Sequence, residues 1–132
     1  MTTHVVSLEV AEQLKESGWK KIGIVCWYNV YNQYLGKSEW SVGVCGQDEH
    51  NGFRNADILT TSPAPVATEI LEELPVNIKG SVLEMYKFER KYGCGYRDNV
   101  DPMPSCIAFV TADTLPNALG LMWLYLKKEQ LL

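Results

Sequence analysis

Residues 81–97 decide the fold, and they read SVLEMYKFERKYGCGYR. Most even positions in this stretch are apolar or aromatic, and Lys87 and Lys91 are among the charged residues that alternate with them. A period of two is typical of a β-strand with one face on a core and one face in water. The stretch therefore predicts a β-hairpin, with its turn either at residues 89–91 or at residues 93–95.

Three other stretches have strand patterns. Residues 21–28 are apolar on both faces, which indicates a central strand. Residues 40–46 predict a second strand, and residues 29–39 between these two predict a long connection rich in Tyr, Asn and Gln. Residues 106–110 predict a short buried strand.

Two helices are predicted from their end signals and apolar stripes. The first begins after Ser7, whose side chain can cap the free amides, and ends at Gly18, which can adopt a left-handed conformation. The second begins at Pro63 or Pro65, where a proline loses no helical hydrogen bond, and stops at Pro75.

A third helix is predicted near the end of the sequence, beginning near Thr111 or Asp113. This helix is apolar nearly all round. A single apolar stripe would leave Leu121, Leu124 and Tyr125 uncovered, so we expect loops or a second copy of the chain to cover them.

The order of these elements predicts the fold class. Helix, two strands, helix, hairpin, strand and helix favour an α+β fold, with a single antiparallel or mixed sheet of about five strands and three helices mainly covering one face. The chain has 132 residues and 46% hydrophobic residues, which predicts a single globular domain over residues 1–132.

Composition and charge disfavour several classes of protein. Twelve basic and 16 acidic residues give a net charge of -4, which disfavours a general affinity for nucleic-acid phosphates. Only residues 79–97 carry a basic excess, with five basic and two acidic residues.

No apolar run approaches the roughly 18 residues that span a bilayer, so no membrane partner is expected. Residues 1–4 contain no Lys or Arg, so no secretory signal is expected and we predict a cytoplasmic location.

The four cysteines are too widely spaced for a zinc or redox motif, so no metal site and no cofactor are predicted. Cys26, Cys45 and Cys106 lie in apolar strand-like runs, which favours buried free thiols. Cys45 and His50 could be drawn as a thiol and its base, but no activating context follows Cys45. A small Cys/His enzyme is therefore the least favoured function, and no catalytic residue is assigned.

A contact site for a protein partner is predicted around Tyr31, Tyr34 and Trp40. The stretch from Tyr28 to Leu35 combines tyrosines with Asn and Gln. Rigid aromatic rings and adaptable amides are enriched in contact surfaces because they lose little entropy on binding. The leading hypothesis is a non-enzymatic protein-interaction module, whose partner is another protein or a second copy of this chain.

The alternative hypothesis is binding of single-stranded nucleic acid by the hairpin of residues 81–97. Aromatic and basic residues alternate there, as they do in sheet-based proteins that stack unpaired bases. The candidate residues are Tyr86, Arg90, Tyr92 and Tyr96.

The three helical stretches also resemble a known group of sequences. They are SLEVAEQLKESG (residues 7–18), APVATEILEELP (residues 64–75) and NALGLMWLYLK (residues 117–127). Their order resembles uncharacterised small proteins encoded by bacteriophages and prophages. The resemblance implies a bacterial cytoplasm and an accessory role in a mobile element, and it implies no activity for particular residues.

Overall fold

A computed structural model describes residues 4–21, 23–46, 58–98 and 105–132. Within these residues the chain forms three helices and two antiparallel sheets, one of three strands and one of four. The α+β class is confirmed, and the prediction of one sheet of about five strands is wrong. The chain divides into two compact units, Met1–Val66 (unit 1) and Ala67–Leu132 (unit 2). The single-domain organisation over residues 1–132 stays a prediction.

Unit 1 contains one helix and the three-stranded sheet. Its elements are α1 (Leu8–Glu16), β1 (Val25–Asn32), β2 (Lys37–Val44) and β3 (Ile58–Pro63). The strand order is β2-β1-β3, so β1 is central, as its two apolar faces predict. Its buried cluster and the half-buried side chains packed against it are Val5, Val25, Ala64, Trp27, Val42 and Val66.

Both ends of α1 form as the sequence predicts. The Ser7 side chain accepts a hydrogen bond from Val10 N at 3.4 Å, which satisfies one of the free amides of the first turn. Gly18 has a φ of +96°, and Trp19 N donates to Leu14 O at 2.9 Å. This is the hydrogen bond of a Schellman motif, in which a left-handed glycine ends the helix.

Pairing between strands replaces a predicted connection and a predicted helix start. The connection predicted at residues 29–39 is wrong, because β1 continues to Asn32 and β2 begins at Lys37. Strand β3 contains the polar run Thr60-Thr61-Ser62 and ends at Pro63, so the predicted alternative in which a helix begins at Pro63 is wrong. Threonine is β-branched and tolerates a strand at the sheet edge, where Pro63 needs no donor on its outer side.

A disulfide bond joins Cys26 of β1 to Cys45, the residue after β2, with a Cα–Cα distance of 5.3 Å. The prediction of free thiols is therefore wrong for both residues. The tight β1–β2 hairpin explains the pairing, because Val25 lies opposite Val44 and Cys45 N donates to Ile24 O at 2.8 Å. Of the other two cysteines, Cys94 is a buried thiol and Cys106 is an exposed one, so the prediction of a buried thiol is wrong for Cys106.

Unit 2 contains two helices and the four-stranded sheet, whose order β4-β5-β6-β7 is a simple meander. Its elements are α2 (Ala67–Glu73), β4 (Asn77–Ile78), β5 (Ser81–Lys87), β6 (Tyr92–Asp98), β7 (Ser105–Ala112) and α3 (Leu115–Lys128). The predicted hairpin is β5–β6. Lys87 pairs with Tyr92 and Phe88 N donates to Lys91 O at 2.8 Å, so the first of the two predicted turn positions is correct.

Helix α3 packs on one face of this sheet, against β6 and β7. The Cys94 thiol donates to Ala118 O at 3.4 Å, and Tyr96, two residues further along β6, is fully buried. Because side chains alternate along a strand, Cys94 and Tyr96 lie on the helix side. The Tyr96 hydroxyl donates to Pro75 O at 2.6 Å.

Most of α3 is covered within the chain. Leu119, Met122 and Leu126 are fully buried, and Leu121 and Leu124 are half-buried. Tyr125 is 37% exposed. The apolar sequence of α3 therefore does not by itself require a second copy of the chain. Among the described residues, no helix is both long enough and apolar enough to cross a bilayer.

Alkylation should distinguish the disulfide from four free thiols. We expect iodoacetamide to modify Cys94 and Cys106 in the denatured, unreduced protein and all four cysteines after reduction. Mass spectrometry counts the modified residues. Four modified cysteines without reduction would contradict the bridge.

Removing the disulfide should also lower stability. The bridge spans a sequence separation of 19 and restricts the unfolded chain, so replacing both Cys26 and Cys45 by Ser should lower the free energy of unfolding by about 2–4 kcal/mol. Urea unfolding of both proteins, with Cys106→Ser as the control, measures this difference. A double variant as stable as the wild type would contradict this stabilising role.

Candidate functional site

The three residues predicted as a contact site lie together at the end of the β1–β2 hairpin. Tyr31 is 42% exposed, Tyr34 is fully exposed, and Trp40 is half-buried. Trp40 pairs with Asn29, two residues before Tyr31, so Tyr31 and Trp40 share one face of the sheet. This is the face that carries Val25 in the buried cluster of unit 1, and it becomes accessible toward the turn.

Hydrogen bonds to Asn32 fix the turn that carries Tyr34. Its Oδ1 atom accepts from Tyr34 N at 3.0 Å and from Leu35 N at 3.2 Å. Gly36 N donates to Asn32 O at 2.9 Å, and Gly36 has a φ of +66°, which favours glycine. Leu35 is 57% exposed and was not predicted as a site residue. We call Tyr31, Tyr34, Leu35 and Trp40 the hairpin tip.

The four residues predicted to bind nucleic acid do not share one surface. Tyr96 is on the helix side and fully buried, so it cannot stack on a base, and this part of the prediction is wrong. Tyr92 pairs with Lys87, whose Nζ lies 5.9 Å from the Tyr92 ring centroid. Arg90 is exposed in the turn, and Tyr86 lies on the face opposite Tyr96.

That opposite face of the unit 2 sheet, which we call the open face, carries a cluster of aromatic rings. The Tyr86 and Phe109 centroids are 5.8 Å apart, and the Phe88 centroid is 6.4 Å from each of them. Phe88 and Phe109 are each 47% exposed. Such an exposed group of large aromatic side chains is a typical feature of binding surfaces.

Two glycines of β6 make room for these rings. A Cβ atom on Gly93 would lie 3.1 Å from Phe88 Cε2 and 3.2 Å from Phe109 Cζ. A Cβ atom on Gly95 would lie 2.9 Å from the backbone oxygen of Ala108 and 3.0 Å from Phe109 Cδ2. Strand β6 therefore has no side chains at Gly93 and Gly95 on the open face, and the aromatic rings of the neighbouring strands cover its backbone there.

A polar group adjoins the aromatic rings. The Tyr86 hydroxyl donates to the Glu84 carboxylate, and Arg97 Nη1 lies 4.0 Å from Glu84 Oε2. The hydrogen bond to Glu84, with smaller effects from desolvation and the Glu84 charge, raises the pKa of Tyr86 above its ordinary value. Glu84 and Arg97 are both partly exposed. The hydrogen bond to Glu84 holds the Tyr86 ring in place.

The least favoured alternative, a thiol and base at Cys45 and His50, has no free thiol at Cys45. Cys45 is oxidised in the disulfide, and His50 lies outside the described residues. Burial raises the pKa of the Cys94 thiol to about 12, which leaves it protonated and unreactive near neutral pH. In the part of the chain that the structure describes, no group of three or more His, Cys, Asp or Glu residues could hold a metal ion.

Comparison with known proteins adds no family or fold relative. A scan against protein-family models matched no family, and searches of curated proteins and of solved structures found no match. The similarity of the helices to phage-encoded proteins stays a prediction. The functional interpretation therefore rests on the geometry of the hairpin tip and of the open face.

The stability of unit 2 should fall between about pH 9 and pH 12. Burial raises the pKa of Cys94 from 9.0 to about 12, and burial raises that of Tyr96 from 10.0 to about 12. The unfolded chain releases these protons at the ordinary values while the folded protein retains them. Their contribution is therefore fully present below pH 9 and is lost as the pH rises toward 12.

Urea unfolding at a series of alkaline pH values tests this dependence. Cys94→Ala should reduce the pH slope by about 1.4 kcal/mol per pH unit, because one proton no longer differs between the two states. Cys106→Ala is the matched control, since its exposed thiol is not buried by folding. Equal slopes in the wild type and in Cys94→Ala would contradict the burial of this thiol.

Proposed function

We propose that this protein is a non-enzymatic interaction module whose hairpin tip binds a protein partner. The observation that carries the proposal is a fully exposed Tyr34 side chain on a turn that Asn32 holds in one conformation. An exposed tyrosine on an ordered turn buries no surface in the fold. It is already arranged for binding, so a partner loses little conformational entropy when it covers the ring.

The composition of the hairpin tip supports a protein partner rather than a small molecule. Tyrosine and tryptophan are enriched among the residues that dominate protein interfaces. Leu35 adds apolar area beside Tyr34, and the exposed residues Lys37 and Glu39 supply a polar rim. A convex tip of this kind fits a partner with an apolar pocket bordered by polar groups.

Strand β2 supplies a second element of the same surface. It is an edge strand, since the order of the sheet is β2-β1-β3. Among the described residues of unit 1, no strand lies beyond β2, and a partner can add a strand at this edge. A second copy of this chain has such an edge, so a homodimer is one form of the proposed complex.

The biological setting is part of the proposal. The resemblance of the helices to phage-encoded proteins supports an accessory role in a phage-like element. Structural disulfides are rare in the cytoplasm, so the Cys26–Cys45 bridge weighs against the predicted cytoplasmic location and favours an oxidising compartment. Alkylation of the cysteines in intact cells distinguishes the two locations.

Site-specific photo-crosslinking in cells that express the protein tests the proposed contact. A crosslinker at position 34 should join the protein to one defined partner, whereas a crosslinker at Val76, which is 76% exposed, should not. The partner is then purified and its affinity measured by calorimetry. Equal crosslinking at both positions would contradict the proposal.

Affinity of the purified partner for variants gives the quantitative prediction. Tyr34→Ala should weaken binding by roughly tenfold or more, as expected for an aromatic residue at the centre of an interface. Asn32→Ala should weaken it less, because the contact residues remain and only their arrangement is loosened. Leu59→Ala is the control, since Leu59 is 55% exposed on β3. Unchanged affinity in Tyr34→Ala would refute the assignment.

A further inference from the structure

We propose that the open face of unit 2 binds single-stranded nucleic acid, with bases stacked on Tyr86, Phe88 and Phe109. This site lies in a different unit from the hairpin tip and does not rest on the function proposed above. It also differs from the set predicted from sequence, because Phe88 and Phe109 take the place of the buried Tyr96.

The rings of the open face are available to a ligand. Phe88 and Phe109 are each 47% exposed, although the same sheet buries Cys94 and Tyr96 completely on its helix side. The Phe88 and Phe109 rings lie over Gly93 of the central strand β6. Sheet-based binders of single strands stack two or three bases on exposed aromatic side chains. The Tyr86 and Phe88 rings have centroids 6.4 Å apart and an interplanar angle of 27°, so they offer two such faces, and Phe109 borders them at 60° and 84°.

The distribution of charged residues in unit 2 favours a nucleic acid on the open face. The glutamates of α2 lie on a helix that contacts α3, on the side of the sheet opposite the rings. Of the basic residues in residues 79–97, Arg97 lies on the open face, and Arg90 and Lys91 lie at the turn beside Phe88 together with the acidic Glu89. Lys87 pairs with Tyr92 and lies on the helix side. Lys91 pairs with Phe88 at the turn and Arg90 is exposed beside it, so cations border the aromatic rings where a phosphate backbone would run.

The polar group beside the rings fits the recognition of an unpaired base. The Arg97 side chain is 40% exposed and its guanidinium, 4.0 Å from Glu84, carries several N–H donors that a base edge or a phosphate can reach. Glu84 accepts from the Tyr86 hydroxyl and so orients that ring. In a single strand the base edges are not paired, and donors and acceptors of this kind can contact them.

Fluorescence anisotropy with a labelled oligothymidylate of about 12 nucleotides tests the proposal, because single-strand sites span roughly 4–16 nucleotides. The titration is repeated from about 50 to 200 mM salt, since phosphate contacts make affinity fall with salt. We expect binding that is tightest at low salt and weaker for the matched duplex. The net charge of -4 predicts a modest affinity, so the low-salt titration is the decisive one.

Variants on the two faces of the sheet locate the contact. Phe109→Leu and Phe88→Leu keep an apolar side chain over the glycines but remove the aromatic ring, and each should weaken binding roughly tenfold. Met85→Ala is the matched control, because Met85 is 51% exposed on β5 but pairs with Cys94 on the helix side. Arg90→Gln should weaken binding and reduce the salt dependence.

Four results would overturn the proposal. They are no binding at low salt, a preference for duplex, equal losses in Phe109→Leu and Met85→Ala, and self-association in light scattering that Phe109→Leu abolishes. The last result would make the open face an interface between copies of the chain. Tyr34→Ala should leave oligonucleotide binding unchanged, so failure here is distinguishable from failure of the hairpin-tip proposal.

Discussion

The pairing register of strands β5 and β6 is the constraint on which the architecture of unit 2 depends. Lys87 lies opposite Tyr92, so even-numbered residues of β5 share a face with odd-numbered residues of β6. This register places Cys94 and Tyr96 toward α3 and Tyr86 on the open face. A slip of one residue would exchange the two sets and bury Arg97 under the helix.

The two faces of β6 differ in a way that explains why one is buried and one is exposed. On the helix side, Tyr96 fills the space under α3 and its hydroxyl finds an acceptor in Pro75 O. On the open face, Gly93 and Gly95 carry no side chain, and Phe109 from the next strand covers them. The aromatic cluster thus has a structural role as a cover for the strand as well as the binding role proposed above.

Sequence patterns predict the local elements well, but they do not predict which residues meet. The caps of α1 at Ser7 and Gly18 depend on neighbours within one helix, so they are readable from sequence. The disposition of Tyr86 and Tyr96 depends on where the hairpin turns, and both predicted turns fit the alternation. The Cys26–Cys45 bridge is not predictable from the sequence for a related reason. The composition of residues 29–39 indicates a long connection, whereas the chain forms a tight hairpin that brings the two cysteines together.

The same limitation applies to the candidate sites. The tyrosines and amides between Tyr28 and Leu35 predict a contact site from composition alone. The hydrogen bonds by which Asn32 fixes the turn are visible only in the structure. Phe109 carries no comparable signal, because it lies in a short apolar run typical of a buried strand. Phe109 lies on the open face because it pairs with Gly95 of the neighbouring strand, which is a relation between strands and not a property of either sequence.

The most direct test of the central claim is a set of nuclear Overhauser effects from the Phe88 and Phe109 rings in the folded protein. The β5–β6 register predicts strong effects from Phe88 to an α proton of Gly93, and the β6–β7 register predicts strong effects from Phe109 to α protons of Gly93 and Gly95, with those protons shifted upfield by the ring currents. Effects from the Phe109 ring to the side chains of α3, and none to these glycines, would contradict the account.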